Sequence, residues 1–492
     1  MSLHNFVKRL QDIMRNDAGV NGDAQRIEQM VWILFLKVYH AKEEEWAILD
    51  DRFVSIIPDQ FRWHNWAVDK KDGQAMTGDT LLNFVNNQLF PALKNLPINE
   101  NTPISKIIVR TAFEDNNNYM KDGILLRQVI NVVDELDISA YDDRHAFGEI
   151  YETILRSLQS AGNAGEFYTP RAVTDFMAQM IAPVIGESVA DFACGTGGFL
   201  TSVLNILDTQ VQTVEDREAY NRAVFGIEKK ALPHLLCVTN MLLHGIDSPQ
   251  IVHGNSLERN VREYRESNLG DCFDVVLMNP PYGGSEKDGV KINFPSELQS
   301  SETADLFMAV IMYRLKKNGR AAIIIPDGFL FGTDNAKSAI KRKLLTEFNL
   351  HTVIRMPHSV FAPYTSITTN ILFFDRTGPT TDTWFYRLDM PEGFKHFSKT
   401  KPMRLEHFAP VIEWWRTREP IIVDGFDKAR CYTVQELLDR NLNLDLCGFP
   451  HEQEEILPPH DLIQQYQEKR ASLNADIDRI LAEIERILGA KV

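Results

Sequence analysis

Apolar positions along the chain follow two regimes. Up to about residue 143 they recur at helical spacing, with Ile27, Met30, Val31, Leu34 and Val38 marking one face. Pro58, Pro91, Pro97 and Pro103 punctuate the loops between shorter segments. A further stripe, Phe147, Ile150, Tyr151, Ile154, Leu155 and Leu158, predicts a helix that stops at Ala161-Gly162, a suitable C-terminal cap. Beyond it, short continuous apolar runs alternate with helical periodicity. Runs at 189–193, 223–227, 251–253, 273–278, 321–325, 353–354 and 371–374 read as buried strands. Helices are predicted at 199–207, 231–243, 305–315 and 337–348. That alternation predicts a doubly wound α/β sheet with right-handed crossovers, finished near Phe374.

After Pro458-Pro459 the pattern changes again, to one helix ending near Leu488. Ile463, Tyr466, Leu473, Ile477, Ile480, Ile484 and Ile487 alternate spacings of three and four, with Arg470 the one polar interruption. This is a heptad seam spaced for a coiled coil, flanked by Lys469, Asp476, Arg479, Glu483 and Arg486. The chain therefore divides into a helical N-terminal domain (1–143), an α/β domain (144–430) and a C-terminal extension carrying the long helix (431–492).

Composition bounds the function. The chain has 492 residues, 44% hydrophobic and 24% charged, ordinary for globular domains. Its formal net charge is −16, so the surface as a whole repels nucleic acid, and DNA binding needs a local basic patch or a basic partner. The five cysteines are scattered without metal-type spacing and read as reduced thiols of a cytoplasmic protein with no metal site. The start is no signal peptide, and no apolar run is long enough to span a bilayer. Trp63-His64-Asn65-Trp66 could touch a partner, but core packing is the better reading.

Three stretches carry candidate chemistry. Asn279-Pro280-Pro281-Tyr282 follows the 273–278 strand, at a carboxyl end where open α/β sheets bind ligands. Two prolines force the chain out of the sheet, and Pro281 restricts Pro280 to an extended conformation. The result is a rigid acceptor pair, the Asn279 side-chain oxygen and the Pro280 carbonyl, beside the flat face of Tyr282. It suits an amino group on a planar ring, although a strand-ending turn explains the tetrapeptide alone equally well. Cys194-Gly195-Thr196-Gly197-Gly198 is a tight loop after the first strand, but position 200 is Leu, which disfavours a dinucleotide fingerprint. Asp191 can accept a bond from a ligand ammonium, and Glu228 at the second strand end can take both hydroxyls of a ribose. Ammonium and ribose without pyrophosphate point to S-adenosylmethionine. Upstream, Thr169 suits a helix N-cap and Pro170 the first helical position.

These motifs together resemble the modification subunit of type I restriction-modification systems, an adenine-specific DNA methyltransferase. The resemblance covers nearly the whole chain. Glu166, Phe167, Tyr168, Thr169, Pro170 and Arg171 match the family's cofactor motif before the first strand, and Asp191 through Gly195, Thr196, Gly197, Gly198 and Phe199 match its glycine motif. Glu228 matches the ribose-binding element, and Asn279, Pro280, Pro281 and Tyr282 the catalytic motif. Asn255, with Ser256 beside it, stands where many such enzymes place an acid against the cofactor adenine; an Asn oxygen can still accept that bond. The resemblance implies a Rossmann-like methyltransferase domain, transfer to the adenine 6-amino group after the base leaves the duplex, and stacking by Tyr282 with Phe361 or Phe199. It also implies a separate specificity subunit, a restriction subunit and two copies of this chain per complex. Protein glutamine methylation, RNA adenine methylation and a non-catalytic assembly role are the alternatives. Fewer than 90 residues separate Phe374 from the C-terminal helix, too few and too weakly basic for a DNA-reading domain.

Overall fold

The computed structural model describes residues 3–69, 75–99, 102, 104–136, 151–155, 168–398, 400–448 and 459–489. They form two compact units, residues 1–448 and 449–492. The first is built on a ten-stranded sheet: β1 (Val189–Asp191), β2 (Val224–Glu228), β3 (Gln250–His253), β4 (Phe273–Met278), β5 (Leu315–Pro326), β6 (Asn349–Arg355), β7 (Thr369–Asp375), β8 (Asp382–Arg387), β9 (Ile421–Val423) and β10 (Phe426–Thr433). Their order is β3-β2-β1-β4-β5-β7-β6-β8-β10-β9. The first five pair in parallel, with Val189 against both Val224 and Val275. β7 then runs antiparallel between β5 and β6. Parallel strands buried on both faces need apolar side chains throughout, which is why β4 reads as a continuous run. Order reverses between β1 and β4, so a crevice opens beyond their carboxyl ends.

Helices cover both faces. Arg171–Ile181, Gly198–Asp208 and Ala231–Leu243 pack on one side, Thr303–Arg314 and Asn335–Glu347 on the other, each with its own buried cluster. The N-terminal helices join the first cluster. The helix Gly22–Leu49 lies along Ala231–Leu243. Lys42 pairs with Asp247 at 2.7 Å, and the Tyr151 hydroxyl donates to the Leu236 carbonyl at 2.8 Å. Trp63 and Trp66 are buried, their indole N–H groups donating to Asp134 and to the Phe61 carbonyl. Of the predicted 147–158 helix, only residues 151–155 lie within the described residues, and these are helical.

Two expectations change. The sheet does not finish near Phe374: β8, β10 and β9 extend it, and Trp384-Phe385-Tyr386 lies in β8. Polar Asp382, Thr383 and Arg387 frame the aromatic triplet, and prolines and glycines lie close on both sides, so the stretch lacks the continuous apolar run of the central strands. In consequence β10 crosses the 430/431 boundary drawn from the sequence. The second change concerns the helix after Thr169. It begins at Arg171, with Pro170 at the N-cap and no side-chain cap.

The second unit contains the helix Pro459–Gly489. Ile463, Tyr466, Leu473, Ile477, Ile480 and Ile484 are between 46% and 66% exposed, so the described part of the seam is open to solvent. The Ile487 side chain lies outside the described residues.

Candidate active site

Four adjacent strand ends build one cavity. β1 supplies Asp191, β2 Glu228, the segment after β3 Asn255 and Ser256, and the segment after β4 Asn279 and Pro281; Thr169, Gly195, Thr196, Gly198, Phe199 and Phe307 complete much of the wall. The glycine loop turns tightly through left-handed backbone at Gly195 (φ 54°) and Gly197 (φ 83°) into the helix Gly198–Asp208. Glu228 anchors that loop: Oε2 accepts the Gly195 N–H at 3.0 Å and Oε1 the Lys230 N–H at 2.7 Å. Asp191 Oδ1 accepts the Ala193 N–H at 3.0 Å.

Both acids are enclosed. Burial, with the nearby Glu228 charge adding to it, pushes the Asp191 carboxyl up to about 8. Burial also raises Glu228, against the lowering pull of its backbone N–H bonds. Burial disfavours the charged forms of both carboxyls, and a ligand cation beside them would offset that penalty. The middle of the cavity is apolar, from Phe192, Phe199 and Phe307. Asn255 Oδ1 takes the Leu257 N–H at 3.1 Å, and Ser256 donates to the Phe192 carbonyl, so these two side chains shape the turn they sit on.

A second, smaller cavity is lined by Tyr168, Asn279, Pro280, Pro281, Tyr282, Phe361 and Tyr364. Asn279 and Pro281 belong to both, forming a shared wall. Asn279 Nδ2 donates to Thr169 Oγ1 at 3.1 Å, while its Oδ1 accepts the Tyr282 hydroxyl. Burial holds the Tyr282 phenol well above its ordinary value, so it stays a donor. The Tyr282 and Phe361 rings meet edge to face, 6.4 Å apart at 75°.

The upstream motif acts differently from its sequence reading. Thr169 does not cap the helix; its hydroxyl holds the Asn279 amide. Arg171 lines neither cavity. Its guanidinium bonds the Gly198 carbonyl at 2.8 Å, Thr201, and Glu152 at 2.6 Å, and Glu152 also accepts the Tyr168 hydroxyl at 2.9 Å. Glu152 and Arg171 therefore brace the loop that follows β1. Gly197 lines neither cavity either: a Cβ there would meet Cys237 Sγ at 2.9 Å and Met241 at 3.2 Å. Glu166 and Phe167 lie outside the described residues. Sequence reasoning missed Glu152, Thr303, Phe307 and Tyr364, all placed by contacts between distant elements with no local motif.

Residues 142–455 match the family model for N-6 DNA methylase, and residues 3–133 match the HsdM N-terminal domain. The Type I restriction enzyme EcoEI methylase subunit of Escherichia coli is 48% identical over 497 residues, spanning 100% of this chain and 98% of the relative. A chain from a structure on complex assembly and conformational transition of the type I R-M system is 35% identical, with a TM-score of 0.79 and 98% of each chain covered. The type I restriction-modification methyltransferase subunit from Streptococcus thermophilus, 21% identical with a TM-score of 0.65 over 91% of this chain and 99% of that one, shares the fold. No helix among the described residues is long and apolar enough to cross a membrane. With the family model matched over most of its length and a relative nearly half identical from end to end, this chain belongs to the type I restriction enzyme methylase subunits, within the N-6 DNA methylases.

Proposed function

We propose that this chain transfers a methyl group from S-adenosylmethionine to the 6-amino group of adenine in DNA, at sites chosen by a separate specificity subunit. The observation that carries the reading is the shared wall: Asn279 and Pro281 separate an acid-lined cavity from an aromatic one. The donor set of the first fits the cofactor, because Asp191 suits its ammonium, Glu228 its ribose, the Asn255 region its adenine, and Phe199 and Phe307 its apolar middle. When bound, the cofactor supplies a methyl group on a sulfonium centre. The aromatic cavity fits a planar base.

The chemistry belongs to the Asn279 region. The adenine amine lone pair is delocalised into the ring and reacts poorly. The Asn279 carbonyl oxygen and the Pro280 carbonyl accept its two hydrogens, favour a pyramidal nitrogen and stabilise the positive charge that develops on it. Thr169 fixes the Asn279 amide so that Oδ1 faces the base side. The Tyr282 hydroxyl holds that oxygen until the amine displaces it, and the Tyr282 and Phe361 rings pack the extruded base. No covalent enzyme intermediate is needed.

The net charge of −16 and the helix Pro459–Gly489 support working within a cytoplasmic assembly of specificity subunit, restriction subunit and two copies of this chain. Glutamine or RNA methylation is not favoured, because the whole chain, including the N-terminal helices, follows DNA methylase relatives. The test is labelled methyl transfer to DNA, with and without a co-expressed specificity subunit. Transfer that needs the partner supports the reading; transfer only to RNA or protein contradicts it.

A further inference from the structure

The segment between β8 and the helix Ala409–Thr417 runs against the charge of the rest of the chain. From Pro391 to His407 it carries Lys395, Lys399, Lys401 and Arg404 against Glu392 and Glu406, in a protein of net charge −16. Lys395, His396, Lys401 and Arg404 are exposed, and Lys399 lies outside the described residues. The acid just upstream, Asp389, is already taken by Arg387 at 2.7 Å and Lys428 at 3.1 Å. Among the described residues, Lys395, Lys401 and Arg404 make no ion pair. Unneutralised cations close in sequence on an acidic protein offer a local attraction to an anion of extended shape.

Two anchors fix where this segment sits. The Phe397 N–H donates to Ser359 Oγ at 2.9 Å, and Phe397 is buried. Ser359 stands two residues before Phe361, which lines the aromatic cavity together with Tyr364. At the other end Phe408 stacks on Phe176, ring centroids 4.1 Å apart and 7° from parallel. Phe176 lies on the helix Arg171–Ile181, which follows Tyr168, a residue that lines the aromatic cavity. The basic segment is thus anchored at one end two residues from Phe361 and at the other on the helix that follows Tyr168, and both Phe361 and Tyr168 line the aromatic cavity. Between the anchors Phe394, Phe397 and His407 form an aromatic cluster, and the Lys401 ammonium lies 5.9 Å above the Phe394 ring.

We infer that the Lys395–Arg404 segment is a phosphate grip for duplex DNA, holding the strand next to the extruded base through Lys395, Lys401 and Arg404. The inference rests on the DNA-methylation reading and deepens it. These contacts are independent of base sequence, so they add affinity and register while the specificity subunit selects the site. They also give an acidic subunit the local attraction its overall charge denies it.

The test uses the full chain assembled with its specificity subunit, titrated with a target duplex at several salt concentrations. The variant Lys395→Gln/Lys401→Gln/Arg404→Gln is expected to lower the slope of log affinity against log salt by about 2–3, about 0.9 per lost phosphate contact. The KM for DNA should rise on the order of 100-fold, with S-adenosylmethionine affinity unchanged and kcat at saturating DNA within about two-fold of the parent. Arg404→Lys, which keeps the charge, should retain the parental slope. If the triple variant does not assemble, Lys395→Gln and Arg404→Gln singly carry the same test, each lowering the slope by about 1. A parent that methylates DNA and variants with parental slope and KM would overturn the grip alone. A parent assembly that transfers no methyl group to DNA would overturn the methylation reading and the grip with it.

Discussion

At the scale of single residues, the acids of the cofactor-side cavity set its pH behaviour. Asp191 is raised to about 8 by burial, so it is largely protonated at neutral pH before a ligand arrives. A cationic ligand needs the carboxylate, so binding must release a proton. Affinity for S-adenosylmethionine is therefore expected to climb from pH 6 to 8, by up to about tenfold per unit, and then level off; calorimetry in buffers of different ionisation enthalpy would show the proton. The same shift has a stability consequence. The folded value lies above the unfolded one, so the protonated acid favours the fold, and stability is lost as pH rises from the unfolded value towards about 8. Asp191→Asn removes that penalty. Its gain over the parent in thermal unfolding should grow between pH 5 and 8, by about 1 kcal/mol per pH unit, while cofactor affinity falls at least about tenfold. An unchanged difference across pH would show that Asp191 titrates normally. Thr169 tests the geometry of the amide. Thr169→Val removes the acceptor for Asn279 Nδ2 and should slow transfer about tenfold, worth about 1 kcal/mol of lost hydrogen bonding. Thr169→Ser should restore the parental rate.

At the scale of elements, the glycine loop is held by packing as much as by ligand approach. Gly197 has positive φ, and an added Cβ would drive into Cys237 on the helix Ala231–Leu243. Gly197→Val is expected to destabilise the unit by about 2–4 kcal/mol, read as a lower denaturant midpoint. Cofactor affinity should fall because the loop shifts, since the side chain does not point into the cavity. Much of this element pattern was legible beforehand. Strands buried on both faces announce themselves as continuous apolar runs, so β1 to β4, β7 and the helices Gly198–Asp208 and Ala231–Leu243 could be read within a residue or two, whereas β5 and β6 begin six and four residues before their apolar runs, in polar stretches. The last three strands could not. β8 frames an aromatic triplet with polar residues, β9 is an exposed three-residue edge strand, and β10 mixes charged and apolar positions because it pairs near the sheet edge. The site followed the same division. Asp191, Glu228 and Asn279 stand at strand ends and carry local motifs. The Thr169 bond to Asn279 spans 110 residues, and no periodicity could have revealed it.

At the scale of the whole molecule, the sheet-based unit carries the chemistry and the C-terminal helix carries an unpartnered seam. A helix with a half-exposed apolar stripe is marginal alone, and we propose that this seam docks on helices of the specificity subunit or of a second copy. Deleting residues after Pro459 should leave cofactor binding untouched and uncouple the complex, as size-exclusion chromatography of co-expressed chains would show; a full-sized assembly with undiminished DNA methylation would make the helix dispensable. The central claim is that the Asn279 cavity methylates an exocyclic adenine amine. It is tested most directly by digesting DNA treated with the assembled enzyme and labelled cofactor, and identifying the modified nucleoside by mass spectrometry. The account predicts N6-methyladenine as the labelled product, and none from Asn279→Ala despite its near-parental cofactor affinity. Label in a cytosine product, or substantial N6-methyladenine from the Asn279→Ala enzyme, would contradict it.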